Sequence, residues 1–290
     1  MTIGITGATG QLGRLVIEQL KNKGLGDQIV ALVRDPTKAA DLGVTTRVAD
    51  YNQPDTLDSA LAGIDRLLLI SSNDLSAPGL RAKQHEAVIA AAKRAGVQLL
   101  AYTSLLHAER WILPFAEDHK ATEKALKESG IPYVLLRNGW YTENYTAFLG
   151  GVLQAGVLYS SSQEGKISLA TRLDYADAAA AVIAGEGHAG KTYELAGDLA
   201  HAVRDILTEV SAQTGASLRY EGVTEKEHLS ALSKAGIPEI WASMIVLPEV
   251  YGVAEGLLLD ENRTLSTLIG RPTTPLKQAV TDALQRINQQ

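Results

Sequence analysis

The chain has 290 residues, 46% of them hydrophobic and 21% charged, with a formal net charge of −6 and no cysteine. That length buries a large core, and the composition is that of an ordinary globular protein. The acidic balance disfavours a nucleic-acid groove, and the missing cysteine removes disulfides, thiol catalysis and cysteine-held metal or iron–sulfur centres.

Ile3–Thr6 reads as a buried strand. Gly7, Gly10 and Gly13 follow at three-residue steps, and Leu12, Leu15, Val16, Ile17 and Leu20 then recur at helical spacing. A strand, a glycine turn and a helix aim a helix N-terminus and several backbone N–H groups at one point, where a phosphate can sit. Gly7 allows the tight turn, Gly10 lets backbone approach a pyrophosphate, and Gly13 lets helix and strand pack closely. Because the first residues are already a core strand, no signal peptide is expected ahead of them. No run approaches the ~20 apolar residues of a membrane span. The expectation is a cytoplasmic protein without membrane or nucleic-acid partners.

A second strand covers Ile29–Val33 with Arg34 at its end, and Asp35-Pro36 reads as an N-cap followed by proline at the first helical position. Further strands are expected at 46–49, 66–70, 99–103 and 133–136, with helices at 54–63, 80–95 and 117–130 between them. The alternation predicts an α/β protein, a doubly wound parallel sheet of Rossmann type whose unbroken apolar strands are covered on both faces. Ligands of such sheets bind outside the carboxyl ends of the strands. By that rule residues 7–12, Arg34, Asp50, residues 71–73, Ser104 and residues 138–144 should rim one crevice. Beyond Asn144 the pattern is less regular. A helix at 174–184 and a strand at 192–196 are expected to return to the sheet, and a last helix begins near Pro275. The predicted organisation is a dinucleotide domain over 1–150 and a smaller C-terminal α/β substrate portion over 151–290, with a segment around 170–196 returning to the first.

An acidic residue at the end of the second strand would hold a ribose 2′-OH and repel a 2′-phosphate. Arg34 stands there instead, and a guanidinium pairs with phosphate through charge-assisted bonds, so NADPH is expected over NADH. Lys38 is placed to assist, whereas Asp35 beside Arg34 favours some use of NADH. No tyrosine has lysine four residues on, which removes the usual alcohol–ketone proton relay. Tyr133 has Arg137 there and reads as a core residue, and Ser104 reads as a strand-end hydroxyl. His119, near the expected start of a helix, is the candidate proton or hydrogen-bond donor, with His107 as a competitor. No His/Asp/Glu set has metal-ligand spacing.

The stretches 5–13, 67–72, 101–108, 135–145 (Leu-Leu-Arg-Asn-Gly-Trp-Tyr-Thr-Glu-Asn-Tyr), 170–176 and 268–276 recur together in one family. The chain resembles the NmrA-like atypical short-chain dehydrogenases over essentially its whole length. Within them it looks most like the bacterial NADPH-dependent quinone reductases, with triphenylmethane dye reductases as near relatives. The resemblance implies NADPH between a Rossmann domain and a small C-terminal domain. By position it assigns cofactor contacts to Gly7, Ala8, Thr9, Gly10, Gln11, Leu12 and Arg34, and to Ser71, Ser72 and Asn73. It adds Gly139, Trp140, Tyr141, Thr142, Glu143, Asn144 and Arg172. A position often held by lysine in the family is His119 here.

A quinone acceptor suits the missing tyrosine, because its reduced oxyanion is stabilised by the ring and solvent or a weak donor can protonate it. Positioning in a dry aromatic slot is then the main task. Trp111, Phe115 and Tyr145 are the expected substrate neighbours, and Trp140, Tyr141 and Phe148 lie in the same segments. Three other readings stay open: an NADP(H)-binding redox sensor or regulatory protein of NmrA type without catalysis, a triphenylmethane-dye or azo-type reductase, and an epimerase with retained NAD, against which Arg34 and the missing tyrosine speak. The expected partners are a small planar acceptor and, at most, a second copy of the chain, so a monomer or homodimer.

Overall fold

The structure is a computed structural model that describes residues 1–289. It divides into two compact units, the first formed by Met1–Glu109, Pro114–Asn138 and Arg172–Leu195, the second by Arg110–Leu113, Gly139–Thr171 and the residues from Ala196 onward. The first unit runs β1 (Ile3–Thr6), α1 (Gln11–Asn22), β2 (Ile29–Val33), β3 (Thr45–Val48), α2 (Asp55–Leu61), β4 (Arg66–Leu69), α3 (Leu80–Ala95), β5 (Leu99–Leu105), α4 (Pro114–Ser129) and β6 (Tyr133–Asn138). The chain then enters the second unit as α5 (Glu143–Thr146), α6 (Leu149–Ala155), β7 (Val157–Ser160) and β8 (Lys166–Ile167). It returns to the first as α7 (Arg172–Ala184) and β9 (Thr192–Leu195), and finishes in the second with β10 (His201–Ala202), α8 (Val203–Thr214), β11 (Arg219–Gly222), α9 (Glu225–Lys234), α10 (Glu239–Pro248), α11 (Thr264–Ile269) and α12 (Leu276–Asn288).

The first unit is one seven-stranded sheet in the order β3-β2-β1-β4-β5-β6-β9, with every neighbouring pair parallel. Strands β1, β2 and β5 are buried at every position, as apolar runs covered on both faces must be, while the edge strand β3 is not. On one face Leu57, Leu61, Leu67, Val88, Leu100, Tyr102 and Leu126 form a continuous core. On the other, α1 packs against α7. The side chains α1 buries, Leu12, Val16, Ile17 and Leu20, are four of the five that recur at helical spacing in the sequence, Leu15 being half-buried, and α7 meets them with a run of buried alanines that lets the helices approach. The strand order reverses between β1 and β4, the switch point at which such a sheet opens a crevice.

Three boundaries differ from expectation. Strands β5 and β6 pair as far as Leu105 and Asn138, two residues further than their apolar runs, so Ser104 and Asn138 lie within the sheet and not at its rim. Helix α4 starts at Pro114, so His119 sits more than a turn inside it. The first unit ends at Asn138 and not near 150, and its returning segment is Arg172–Leu195.

In the second unit β7 and β11 pair in parallel, β8 and β10 antiparallel, and Leu149, Val210, Val280 and Ala283 form a small core. Helix α10 ends in a π-helical turn at Glu249–Val253. Gly252 in that turn admits the ring of Trp111, since a methyl group there would overlap it. Among the described residues no helix is long and apolar enough to cross a membrane.

Candidate functional site

The turn after β1 is built as its glycines predict. Gly7 is left-handed at φ 58°, and the N–H of Gly10 donates to its carbonyl at 2.9 Å. Gly10 enters α1 in extended backbone with no side-chain cap, and the first turn of α1 holds no acid, so no side chain of the turn competes for its first N–H groups. A methyl on Gly13 would overlap the Gly7 carbonyl oxygen and stand 2.8 Å from the Ala8 Cα, which makes glycine obligatory there. This is a fit for a pyrophosphate: donors and the positive end of a twelve-residue helix, with no competing carboxylate.

Arg34 follows β2 directly and is exposed. It makes no hydrogen bond or ion pair within the described residues, although Tyr51 and Asp74 both feel its charge. Its neighbour Asp35 is committed elsewhere. The Asp35 carboxylate accepts from the Thr37 hydroxyl at 2.6 Å and the Thr37 N–H at 3.0 Å, capping the 3₁₀ turn Pro36–Leu42, and those bonds hold its pKa below the usual range. A residue that sequence reasoning passed over joins the two loops. Arg14 donates from Nε to the Thr9 carbonyl at 3.2 Å, from Nη2 to the Lys38 carbonyl at 2.8 Å, and from Nη1 to Asp41 at 2.6 Å. Its place in the first turn of α1, facing both loops, was the only signal in the sequence.

Ser71, Ser72 and Asn73 follow β4. The peptide N–H groups of Ile70, Ser71 and Ser72 donate in succession to Thr6 Oγ1 (2.9 Å), Thr103 Oγ1 (2.9 Å) and His85 Nε2 (2.8 Å). The glycine turn, Arg34 and this segment therefore stand at the carboxyl ends of β1, β2 and β4, consecutive positions in the sheet. In the second unit, Tyr141 bridges Ala170 and the Thr142 N–H donates to the Ala170 carbonyl at 2.9 Å. The segment 139–144 thus runs beside the residue that stands two before Arg172 in the chain. Thr142 also lines a cavity of roughly 300 Å³ in that unit, with Leu169, Asp198, Arg263, Thr273 and Leu276 among its walls.

The expectations for His119, Ser104 and Trp111 are corrected. His119 is not at a helix start. It is 7% exposed, its Nδ1 lies 2.8 Å from the Tyr102 hydroxyl, and burial reinforced by Arg81 and His85 holds it neutral far below its ordinary pKa. An imidazole so placed is not a cationic proton donor near neutral pH. Ser104 donates to Glu123 at 2.6 Å inside the sheet and is absent from any rim. Trp111 is 1% exposed and packed on Gly252, so it offers no face to a planar ligand. Phe115 is half-buried in the first turn of α4, where its carbonyl accepts from Arg81 at 3.4 Å. The Tyr145 hydroxyl is buried, and burial together with the Glu249 carboxyl raises its pKa well above the ordinary value.

Two ionisable clusters were invisible in the sequence. In the first unit, the β5–β6–β9 register sets Ser104, Arg137 and Glu194 abreast. Arg137 forks onto Glu123 of α4 (Nε–Oε1 2.8 Å, Nη2–Oε2 2.6 Å), donates to Glu194 at 2.8 Å, and pairs with Glu109. In the second unit, Oε2 of the buried Glu249 accepts from the Ser161 N–H (2.7 Å) and the Ser160 hydroxyl (2.9 Å), with His228 Nδ1 at 3.5 Å. His228 presents the same nitrogen to Ser161 Oγ at 3.1 Å and to Glu249, so the trio is not a nucleophile–base relay, which needs the two ring nitrogens facing opposite ways.

Comparison with known proteins gives a consistent picture. A family model described as NAD(P)H-binding matches residues 7–186. Quinone oxidoreductase 2 of Escherichia coli is 50% identical over 281 residues, covering 96% of this chain and 97% of that one. Among solved structures, the E. coli NADPH-dependent quinone oxidoreductase QOR2 complexed with NADPH superposes with a TM-score of 0.93 at 49% identity, over 98% of this chain and all of that one. The Citrobacter sp. triphenylmethane reductase superposes with a TM-score of 0.93 at 36% identity, over 98% of this chain and 100% of that one.

Proposed function

Because this chain belongs to the NAD(P)H-binding family, we propose that it is an NADPH-dependent oxidoreductase that reduces a quinone or a similar planar, electron-poor acceptor. One observation carries the reading: a glycine cradle and an unpaired arginine at the end of β2, in a chain half-identical to a quinone oxidoreductase over nearly its whole length. When bound, NADPH supplies the hydride. The open N–H groups of α1 receive the pyrophosphate, with Gly7, Ala8, Thr9, Gly10, Gln11 and Leu12 around it, and Arg34 receives the 2′-phosphate. Ser71, Ser72 and Asn73, then Gly139, Trp140, Tyr141, Thr142, Glu143 and Asn144, and Arg172 complete the cofactor set. Arg14 keeps the glycine turn and the 2′-phosphate turn in register. His119 being neutral and His85 spent on Ser72, the reduced acceptor takes its proton from solvent or a weak donor. On this reading the chain works in the cytoplasm as a monomer or homodimer.

Purified protein mixed with NADPH and a small benzoquinone should deplete the nicotinamide absorbance. The arginine test is sharper. Arg34→Ala should weaken NADPH about 10- to 100-fold, the worth of a lost charge-assisted phosphate contact of about 1.5–3 kcal/mol, and leave NADH nearly unchanged. Equal loss for both cofactors would remove Arg34 from the 2′-phosphate site. No turnover across quinones and cationic dyes would remove the reaction.

A further inference from the structure

We infer that His85 is a positioning residue for the Ile70–Ser72 segment, fixed in a single neutral tautomer with its proton on Nδ1. The inference rests on the cofactor reading above for what the segment touches, but its geometry stands alone. Ser72 N–H donates to Nε2 at 2.8 Å, so Nε2 carries no proton. Nδ1 lies 2.9 Å from the Thr122 hydroxyl, which already donates its own proton to the Asp118 carbonyl at 2.7 Å. The remaining role for Nδ1 is donor. A second proton on the ring would set two donors face to face at Ser72. The side chain is fully buried, with the Tyr102 ring edge-on at 5.4 Å and the Arg81 charge nearby, and burial followed by Arg81 presses its pKa to about 3.

His85 is the third of three consecutive acceptors. Thr6 comes from β1, Thr103 from β5 and His85 from α3, and they take the N–H groups of Ile70, Ser71 and Ser72 in turn. With those donors spent inward, the segment offers a ligand its carbonyls and hydroxyls. It therefore suits a hydroxyl- or amide-bearing part of the cofactor and not a phosphate, which needs N–H donors. His85 holds the last of the three, where the chain leaves the sheet and has no ladder to keep it in place.

The test has two arms. In the ¹⁵N-histidine spectrum of the full chain without cofactor, His85 should show the neutral Nδ1–H tautomer from pH 8 down to pH 5. In the second arm, His85→Phe keeps the ring volume but removes the acceptor. It should raise the NADPH dissociation constant and the NADPH KM about ten-fold with kcat little changed. His85→Gln should recover most of that loss, since its amide oxygen can accept from Ser72 while its nitrogen donates to Thr122. Thr122→Val leaves the imidazole and its bond from Ser72 in place but removes the acceptor for Nδ1, so it reads the positioning effect if His85→Phe does not fold: an unchanged tautomer with weakened NADPH. An Nε2–H tautomer in the wild-type chain, or wild-type NADPH affinity in folded His85→Phe or Thr122→Val, would overturn the inference. Wild-type protein with the expected tautomer but no affinity for NADPH would instead overturn the cofactor reading.

Discussion

Replacing Arg137 by methionine should cost about 3–5 kcal/mol of stability, the largest effect of any substitution considered for this chain. The guanidinium is 6% exposed and answers three carboxylates, of which Glu123 is 3% exposed. The forked pair with Glu123 and the bond to Glu194 keep Arg137 charged at every accessible pH, against the pull of burial. Methionine fills the volume but strands Glu123 among buried groups, where an unpaired charge is far costlier than a pair. Glu109 reaches solvent and suffers less. Far-UV circular dichroism in urea reads the loss, and Arg137→Lys should recover only part of it, because an ammonium cannot fork onto Glu123. The double variant Arg137→Met/Glu123→Leu should regain stability relative to Arg137→Met, since it removes the stranded charge. A loss under 1 kcal/mol in Arg137→Met would mean that the cluster is relaxed in solution.

Glu249→Gln should abolish a pH dependence of about 3 kcal/mol in the second unit. Burial pushes the Glu249 carboxyl from 4.5 up to about 7, outweighing the bonds from Ser161 and Ser160 that favour its charge. His228 gives no counter-charge near neutrality, because its own burial lowers it to about 4. With the folded pKa above the unfolded one, the native state holds the extra proton between pH 4.5 and 7. Stability is then fully present below pH 4.5 and falls as pH rises to 7, at about 1.36 kcal/mol per pH unit. Glutamine keeps an acceptor for the serine donors and removes the charge. Its variant should be close to wild type at pH 5 and more stable at pH 8. All three tryptophans, Trp111, Trp140 and Trp241, lie in the second unit, so their fluorescence in urea at the two pH values reads this unit. Parallel wild-type and variant profiles would show that Glu249 does not titrate in that window.

The sheet and the cradle were legible because their signals are local. Unbroken apolar runs bounded by glycine and proline mark β1, β2 and β4, and right-handed crossovers leave few orders for parallel strands. Gly7, with its left-handed φ, and Gly13, where a Cβ would overlap the Gly7 carbonyl, announce a turn that needs glycine, and Arg34 is read by its place at a strand end. His119 was misplaced because the start of α4 depends on what the loop before it packs against. Ser104 and Asn138 were misread as rim residues because hydrogen-bond pairing carries β5 and β6 beyond their apolar runs.

By itself, then, the sequence determined a parallel α/β sheet and a dinucleotide turn and put an arginine at the end of β2, since each follows from backbone conformation or chain position within a few neighbouring residues. Only the tertiary structure decided which polar side chains are spent on the fold. Ser72 meets His85 across 13 residues, Glu123 meets Arg137 across 14, and Ser161 meets Glu249 across 88. Burial makes those pairings obligatory, because an unpaired polar group in the interior costs more than any local preference supplies.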